Sequence, residues 1–216
     1  SSWRQYKYYS IVVLYYEEYI MSFNFQRYNA RLECFDIWRD GFTSEEVDKI
    51  LYMESLKNFG KGQVGSQGAE AEKEVRDSDI AWIYPDQHSH WLFERLGLIT
   101  ATVNHHQFMY DIKGVEVLQY TKYNLNQHYS WHWDVEFGWQ NYQRKISAVM
   151  MLTGPDEYEG GELEVCNNGN FENTQVLKPN KGDIVFFASW MPHRVRPVTS
   201  GERKSLVMWV MGKRQS

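Results

Sequence analysis

From Gly114 onward the hydrophobic and polar positions form short, β-rich runs, and turn residues separate them. Many short strands between turns are typical of a sandwich or barrel rather than of alternating helix and strand. The pattern therefore predicts a mainly β fold, a jelly roll (double-stranded β-helix) of about eight antiparallel strands. These strands are expected at residues 114–123, 127–134, 144–153, 161–166, 174–178, 183–188, 193–198 and 203–211.

The part of the chain before Gly114 has helical periodicity instead. Thr43 and Glu46 have the spacing of a capping box, and apolar residues follow them at helical intervals, which predicts a helix over residues 44–59. A second set of apolar residues recurs every three to four positions and predicts a helix over residues 88–110. We expect these helices to flank the β core and to pack against its sheet.

The organisation that follows is one integrated domain, with supporting elements in residues 1–112 and the jelly-roll core in residues 113–216. Gly60–Gly68 carries four glycines without a phosphate-loop pattern, which indicates a flexible connection, with a lid as the alternative. The apolar run Tyr8–Ile20 is too short to span a membrane and contains Glu17 and Glu18. We therefore expect no membrane partner and a cytoplasmic location.

Composition narrows the class of partner. The formal net charge is -5, so no basic field recruits nucleic acid, and nucleic acid is a disfavoured partner. Aromatic residues make up 16% of the chain, which predicts an aromatic-rich core or cleft. Cys34 and Cys166 lie far apart without CxxC spacing, so we expect buried thiols rather than a disulfide framework or a thiolate zinc site.

A candidate metal site begins with His132 and Asp134, which are two residues apart. On a strand this spacing places both side chains on one face, while Trp133 points away. His193 follows the apolar run 183–188 and a short turn, and supplies the third ligand. Two imidazoles and one carboxylate leave adjacent positions open, which suits iron(II) better than zinc. The alternative is a hydrogen-bonded surface strand without a metal.

A candidate anion site lies ten residues beyond the third ligand. Arg203 and Ser205 fall on one face of the predicted last strand. A guanidinium makes a planar, two-pronged contact with a carboxylate, and burying it in a β core makes sense when an anion pairs with it. The alternative is an internal salt bridge. Four other histidines in or beside the second helix are interpreted as structural rather than as ligands: His88, His90, His105 and His106.

Taken together, His132-Trp133-Asp134, the distal His193 and the Arg203-x-Ser205 pair resemble the 2-oxoglutarate/Fe(II)-dependent dioxygenase superfamily, in particular its prolyl 4-hydroxylase-type branch. The resemblance covers about residues 74–212. Collagen-type members usually carry lysine where Arg203 stands, and bacterial and phage members more often carry arginine. Arg203 therefore favours a microbial or phage-like enzyme.

The resemblance also implies roles for individual residues. Tyr123 matches a tyrosine that binds the far carboxylate of 2-oxoglutarate together with Arg203 and Ser205. On the substrate side it implies Tyr129, Arg144 and Trp209. Val75–Ser78 is similar to the R-x-S segment that opens the family's first core strand, with Trp82 behind it. The implied cofactors are Fe(II), 2-oxoglutarate and O2, with ascorbate as the reductant.

The implied reaction is hydroxylation of a peptidyl proline, with release of succinate and CO2. A free amino acid or another small molecule is an alternative substrate, because fold and iron site do not select the substrate. Nucleic-acid demethylation is disfavoured, since that pattern has a second arginine six residues after the first, where this chain has Trp209. A non-catalytic metal-binding jelly roll is the alternative from another class.

Four tryptophans cluster near the metal ligands in sequence: Trp131, Trp133, Trp139 and Trp190. We expect most of them to pack in the core.

Overall fold

In a computed structural model of the 216-residue chain, residues 34–54, 57–62, 74–135 and 142–213 are described. Strands are the commonest regular structure among these residues, as the β-rich runs predict. The strands are β1 (Phe35–Trp38), β2 (Gly60–Lys61), β3 (Arg76–Asp77), β4 (Asp79–Ile83), β5 (Ile112–Val115), β6 (Leu118–Tyr123), β7 (His128–His132), β8 (Tyr142–Met151), β9 (Tyr158–Gly160), β10 (Leu163–Cys166), β11 (Thr174–Leu177), β12 (Ile184–Ala188), β13 (His193–Val195), β14 (Val198–Gly201) and β15 (Arg203–Lys213).

Two α-helices precede most of the strands. Helix α1 spans Ser44–Glu54, and its capping box is present, because Thr43 and Glu46 exchange backbone-to-side-chain hydrogen bonds of 2.9 and 3.3 Å. The predicted helix over 44–59 is too long, since residues 57–59 are not helical. Helix α2 spans His90–Val103. The chain continues in a π-helix (Asn104–Phe108), and a 3-10 turn (Asn167–Gly169) follows β10.

Helix α2 and the π-helix that continues it together cover residues 90–108 of the predicted range 88–110. The side chain of Asn104 explains where this helical run ends. Its amide donates to the Tyr110 carbonyl and accepts from the Tyr110 N–H, both at 3.0 Å, and so turns the chain back. Met109 lies between them in the left-handed conformation, with φ of 54°. The helical run therefore ends where the Asn104 side chain binds the backbone of Tyr110.

The strands form two larger antiparallel sheets and one small one. The major sheet has the order β1-β12-β8-β15-β6-β4-β2, with β5 also paired to β15. The minor sheet has the order β11-β10-β13-β7-β3, and β14 pairs with β9. Sheets of this kind, with helices on one side, make the predicted jelly-roll core, although the sheets do not close into a barrel. The mainly β prediction is confirmed.

Each central strand of the major sheet has two different faces. On β8, Ile146, Ala148 and Met150 join one buried apolar cluster with the side chains of α1 and α2. Ser147 and Val149 alternate with them, and Val149 lines the cavity on the opposite face. The helices therefore cover one face of the sheet and leave the other face to the cavity.

Several predicted boundaries differ from the structure. The strand predicted at 114–123 is two strands, because the chain breaks at residues 116–117, where the Glu116 N–H donates to the Trp209 carbonyl at 2.9 Å. The strand predicted at 193–198 is interrupted before β14 by Pro197, which has no N–H to donate to a ladder. Strands β1 and β2 were not predicted, whereas β3 and β4 lie where the resemblance of Val75–Ser78 implies the opening of a core strand.

The Gly60–Gly68 segment is only partly a loop. Gly60–Lys61 pairs with β4, which corrects the prediction of a flexible connection at its start, and residues 63–73 lie outside the described part of the chain. The N-terminal run Tyr8–Ile20 and Trp139 also lie outside it. Across the described ranges, neither helix has the length and apolar character to cross a membrane.

Candidate active site

Three metal-binding side chains meet at one end of the minor sheet. His132 is the last residue of β7 and lies opposite His193, the first residue of β13. Asp134 lies beyond the end of β7, and its N–H donates to the Ser189 carbonyl at 2.9 Å. The Nε2 atoms of His132 and His193 lie 3.7 and 3.5 Å from the Asp134 carboxylate, and all three donor atoms lie within 4.8 Å of one another. The three predicted ligands are therefore brought together.

The backbone fixes the tautomer of both imidazoles. Nδ1 of His132 lies 2.8 Å from the Ser130 carbonyl, and Nδ1 of His193 lies 3.0 Å from the Met191 carbonyl. A carbonyl only accepts, so each Nδ1 carries the proton and each Nε2 presents a lone pair to the site. Burial and the neighbouring His193 also hold the pKa of His132 well below its ordinary value. A neutral imidazole is the form in which histidine binds a metal, and the low pKa of His132 favours that form.

The Asp134 carboxylate stays charged although it is buried. Burial by itself raises the pKa of Asp134, but His193, His132 and a hydrogen bond from Ser147 lower it below its ordinary value. Ser147 Oγ donates to Oδ2 at 2.7 Å and lies 3.0 Å from Ser189 Oγ. The two hydroxyls orient the carboxylate, so one oxygen remains for the metal. Sequence reasoning missed this Ser147, and its signal is a lone hydroxyl in an apolar strand.

A buried guanidinium lies in the same cavity. Arg203 is 1% exposed and makes no ion pair among the residues that the structure describes. Its Nη1 donates to Ser205 Oγ at 3.2 Å, while Nη2 meets only the Met151 sulfur at 3.5 Å and Nε has no hydrogen-bond partner. The predicted alternative, an internal salt bridge, has no partner in the described ranges. An anion is the group that this arrangement lacks.

Tyr123 lies opposite Arg203 in the sheet, and its ring centre is 5.4 Å from the guanidinium carbon. Burial raises the pKa of Tyr123, so its phenol stays protonated and can donate a hydrogen bond. Thr121 pairs with Ser205 two residues along the same two strands and is also buried. Tyr123, which lies far from Arg203 and Ser205 in sequence, thus joins them at one polar end of the cavity.

The three residues predicted on the substrate side also line this cavity, whose volume is about 580 Å³. The Tyr129 ring stacks on the His132 ring, with centres 3.4 Å apart. Arg144 makes two 2.7 Å hydrogen bonds to Glu116 and lies over the Trp209 ring at 4.0 Å. The indole N–H of Trp209 has no hydrogen-bond partner. Its proximity to Asp134 contributes to the lowered pKa of that carboxyl. Glu116, which orients Arg144, was not predicted.

The remaining aromatic and histidine predictions have mixed outcomes. Trp133 and Trp190 are 62% and 51% exposed, so the expectation that most tryptophans near the ligands pack in the core is wrong for these two. Trp133 follows the last residue of β7 and lies at the cavity edge, where no sheet covers it. The four histidines in or beside α2 are exposed and lie outside the cavity, as expected: His88, His90, His105 and His106.

These residues fit the groups that the sequence implies. Two imidazoles and one carboxylate, open toward the cavity, match the donor set of a non-haem iron(II) site. The guanidinium of Arg203, without an acid partner, matches one carboxylate of a dicarboxylic keto acid. The three candidate metal ligands and the guanidinium of Arg203 line the same cavity.

Comparison with known proteins agrees with this geometry. The family model described as 2OG-Fe(II) oxygenase superfamily matches residues 118–211. A PKHD-type hydroxylase of Crocosphaera subtropica is 31% identical over 172 residues, which cover 78% of this chain and 74% of that protein. A shorter match, 41% over 71 residues, to a PKHD-type hydroxylase of Teredinibacter turnerae spans 30% of that relative and 33% of this chain.

The fold has solved relatives as well. A prolyl hydroxylase from Trichoplax adhaerens, solved in complex with a hypoxia inducible factor peptide fragment, superposes with a TM-score of 0.68. It covers 89% of this chain and 92% of its own length at 20% identity, so it supports the fold alone. On the sequence match to the hydroxylase of Crocosphaera subtropica and the family model, the chain belongs to the 2OG-Fe(II) oxygenase superfamily, and its relatives in sequence from Crocosphaera subtropica and Teredinibacter turnerae are PKHD-type hydroxylases.

Proposed function

We propose that this enzyme uses Fe(II), O2 and 2-oxoglutarate to hydroxylate a prolyl residue of a peptide or protein, with release of succinate and CO2. The observation that carries the proposal is the pairing of two sites in one cavity. A buried His-Asp-His group that can hold a metal faces the same space as Arg203, a buried guanidinium without an acid partner among the described residues.

The metal ligands in this proposal are His132, Asp134 and His193. Bound Fe(II) supplies the activation of O2 that an unactivated C–H bond requires. The chain's part is to orient both rings through the carbonyls of Ser130 and Met191, which accept from Nδ1 and leave each Nε2 facing the metal. Ser147 holds the carboxylate of Asp134 in place at 2.7 Å. Three protein ligands leave room for a cosubstrate, whereas a structural zinc site has four.

The cosubstrate in this proposal is held at the other end of the cavity. Arg203 forms a charge-assisted pair with the far carboxylate of 2-oxoglutarate, and Ser205 and Tyr123 donate hydroxyl hydrogen bonds to it. All three side chains are buried, so little water competes for the carboxylate. Their fixed positions on two paired strands orient the keto acid toward the metal ligands.

Three features support a prolyl peptide as the substrate. The cavity offers the flat faces of Tyr129 and Trp209, which suit a proline ring. The relative of Crocosphaera subtropica carries the name PKHD-type hydroxylase, and the Trichoplax enzyme was solved with a peptide. Arg144, held by Glu116 over Trp209, has a fixed position from which it can donate to a peptide carbonyl.

The test is succinate formation from 2-oxoglutarate with iron(II), ascorbate and air, measured with and without proline-containing peptides, while peptide mass is read in parallel. We expect peptide-stimulated succinate and a gain of one oxygen atom by the peptide. Asp134→Ala is the matched control, because it removes one metal ligand and should give neither product. Succinate without peptide stimulation would turn the proposal to a free amino acid or another small molecule. No succinate under any condition would contradict it.

A further inference from the structure

The cavity contains a second buried guanidinium that the proposed reaction does not use. Arg76, on β3, is 8% exposed and lines the cavity. In the described ranges no carboxylate lies within ion-pair distance of it. A buried charge without a partner is costly, so a fold retains one mainly where an opposite charge arrives from outside.

The fold holds this side chain in one position. Nε donates to Ser78 Oγ and Nη2 donates to Gln119 Oε1, both at 2.8 Å. The guanidinium carbon lies 4.6 Å from the centre of the Tyr129 ring. Gly62 lies against its head, because a Cβ at that position would be 2.6 Å from Nε. Two of the five N–H donors of an arginine are thus engaged, and three are left to the cavity.

The neighbouring cations around the cavity are already neutralised. Arg144 pairs with Glu116 at 2.7 Å, and Lys61 pairs with Asp79 at 2.9 Å. Arg203 lies by a different tyrosine, Tyr123, at the end of the cavity assigned above to the cosubstrate. Arg76 therefore contributes one positive charge that neither an acid of the described chain nor the proposed cosubstrate balances.

We propose that Arg76 binds a carboxylate of the substrate, so that this enzyme selects a substrate with a negative charge near the hydroxylated residue. This inference rests on the proposed function and adds the substrate's charge to it. Tyr129 lies between Arg76 and the metal ligands. Its ring stacks on His132 with centres 3.4 Å apart, and the guanidinium carbon of Arg76 lies over it, 4.6 Å from its centre. A carboxylate held by Arg76 is thus held beside the metal ligands.

The chemistry of one planar guanidinium with three unengaged N–H groups favours a carboxylate. It presents a fork that matches two carboxylate oxygens, and its single charge balances a single negative charge. The carboxylate has two possible sources. One is a peptide, through an acidic side chain or its C-terminus, and the other is the α-carboxylate of a free amino acid. Arg76 would bind either one in the same way, and probes in which an amide replaces each carboxylate distinguish the two sources.

The experiment measures binding without turnover. Wild-type protein with Mn(II) and 2-oxoglutarate, under argon, is titrated calorimetrically with matched acid and amide probes. The probes are proline-containing peptides with Asp or Glu, with Asn or Gln in their place, with free or amidated C-termini, and L-proline against L-prolinamide. We expect at least one acid to bind about 10- to 100-fold more tightly than its amide, as for a charge-assisted pair. Which pair shows the preference identifies the source.

Variants connect this preference to the side chain. Arg76→Gln should abolish the acid preference, Arg76→Lys should restore part of it, and Gly62→Ala should weaken it by displacing the guanidinium. Arg95→Gln is the matched control, because Arg95 lies over the Phe42 ring at 5.6 Å, outside the cavity, and should leave the preference unchanged. Thermal unfolding of each variant verifies folding.

Three results would overturn the inference. One is that no acid is preferred over its amide in the panel, and another is that the preference survives Arg76→Gln. The third is that Arg76→Gln weakens 2-oxoglutarate binding as strongly as Arg203→Gln, which would place Arg76 at the cosubstrate. Failure of the proposed function is separate, since it would appear as absence of succinate with iron(II) and air, whereas the binding titration needs no turnover.

Discussion

The two faces of the major sheet come from the same strands and differ in what they bury. Toward the helices, alternate residues such as Ile146, Phe186 and Met208 form an apolar cluster. Toward the cavity, the residues between them include Ser147 and Ser205, and buried polar or charged side chains lie there among apolar ones such as Val149. The helix-side face finds its partners within the protein. The cavity-side face holds Arg203, which has no acid partner among the described residues.

This difference separates stability from function. Burying a large apolar side chain contributes about 1.5–3 kcal/mol, so the helix-side face stabilises the fold. A buried charge without a partner opposes folding, so Arg203 and Arg76 lower stability until an anion binds. The cavity-side face is therefore expected to respond to ligands, and the helix-side face to side-chain volume.

The largest expected effect is on the cavity side. Asp134→Ala removes one of the three metal ligands, so turnover should fall by about a thousandfold or more, which corresponds to at least about 4 kcal/mol. Succinate formation measures the loss, and thermal unfolding of the metal-free protein should show that the fold is retained. Turnover that persists in Asp134→Ala would refute the assignment of the metal site.

The next effect is on the helix side. Phe186 is fully buried in the apolar cluster, so Phe186→Ala should lower the free energy of unfolding by about 3–5 kcal/mol through loss of contacts and a cavity. Urea unfolding measures this change. Leu98→Ala is the control, because Leu98 is 71% exposed on α2 and should change stability by less than about 0.5 kcal/mol. Equal losses in both variants would contradict the division between the faces.

Some strands and site residues of these two faces could be predicted from the sequence, and others could not. The β-rich runs and the turn residues between them predict strands at the positions of β8, β12 and β15, because these segments carry a local pattern. The His-x-Asp pair, His193 and the Arg-x-Ser pair stand out because charged or polar groups interrupt apolar strands. These predictions concern strong local patterns, and the structure brings all of those residues to one cavity.

The rest depends on pairing across the sheet. Strands β1, β3 and β4 have no long periodic pattern, and they form because β12, β7 and β6 offer them partners. Glu116 faces Arg144 only because β15 brings their strands together. Arg76 carries a sequence motif, but its lack of an acid partner is visible only in three dimensions. Long-range pairing of this kind leaves little local signal.

The third effect again concerns the cavity-side face. A substitution of Arg203 should weaken 2-oxoglutarate binding without lowering the stability of the ligand-free protein. Arg203→Met should raise the 2-oxoglutarate requirement about 100-fold by removing the charge-assisted pair, while stability without ligand stays equal or rises. Succinate kinetics and urea unfolding measure the two quantities. Arg203→Lys, which keeps the charge, should have a smaller effect on the cosubstrate. A stability loss of about 3–5 kcal/mol would instead reveal a buried acid partner for Arg203.

The smallest expected effect is a charged contact on the helix side. Burial raises the pKa of Glu54, but hydrogen bonds from Lys122, Lys204 and Tyr120 lower it to about 2. A carboxylate with a lowered pKa stabilises the folded state above its ordinary value near 4.5 and loses that contribution as the pH falls toward 2. Glu54→Gln should therefore cost about 2 kcal/mol at pH 7 in urea unfolding, less than the full shift because the contact is partly exposed.

The dependence on pH is the distinguishing part of that prediction. The difference in stability between wild type and Glu54→Gln should shrink steadily between pH 4.5 and pH 2. Asp111→Asn, at an exposed ion pair with Lys113, is the control and should change stability little at any pH. A difference that is constant across this range would show that packing, and not charge, connects α1 to the sheet.

The most direct test of the central claim is thermal unfolding of the wild-type protein with Mn(II), with 2-oxoglutarate and with both. If the cavity-side face holds a metal and a keto acid together, 2-oxoglutarate should raise the unfolding temperature markedly more when the metal is present. Arg203→Met should keep the increment from the metal and lose the increment from 2-oxoglutarate. Stabilisation by the metal alone, with none from 2-oxoglutarate, would contradict the oxygenase site and favour a metal-binding module.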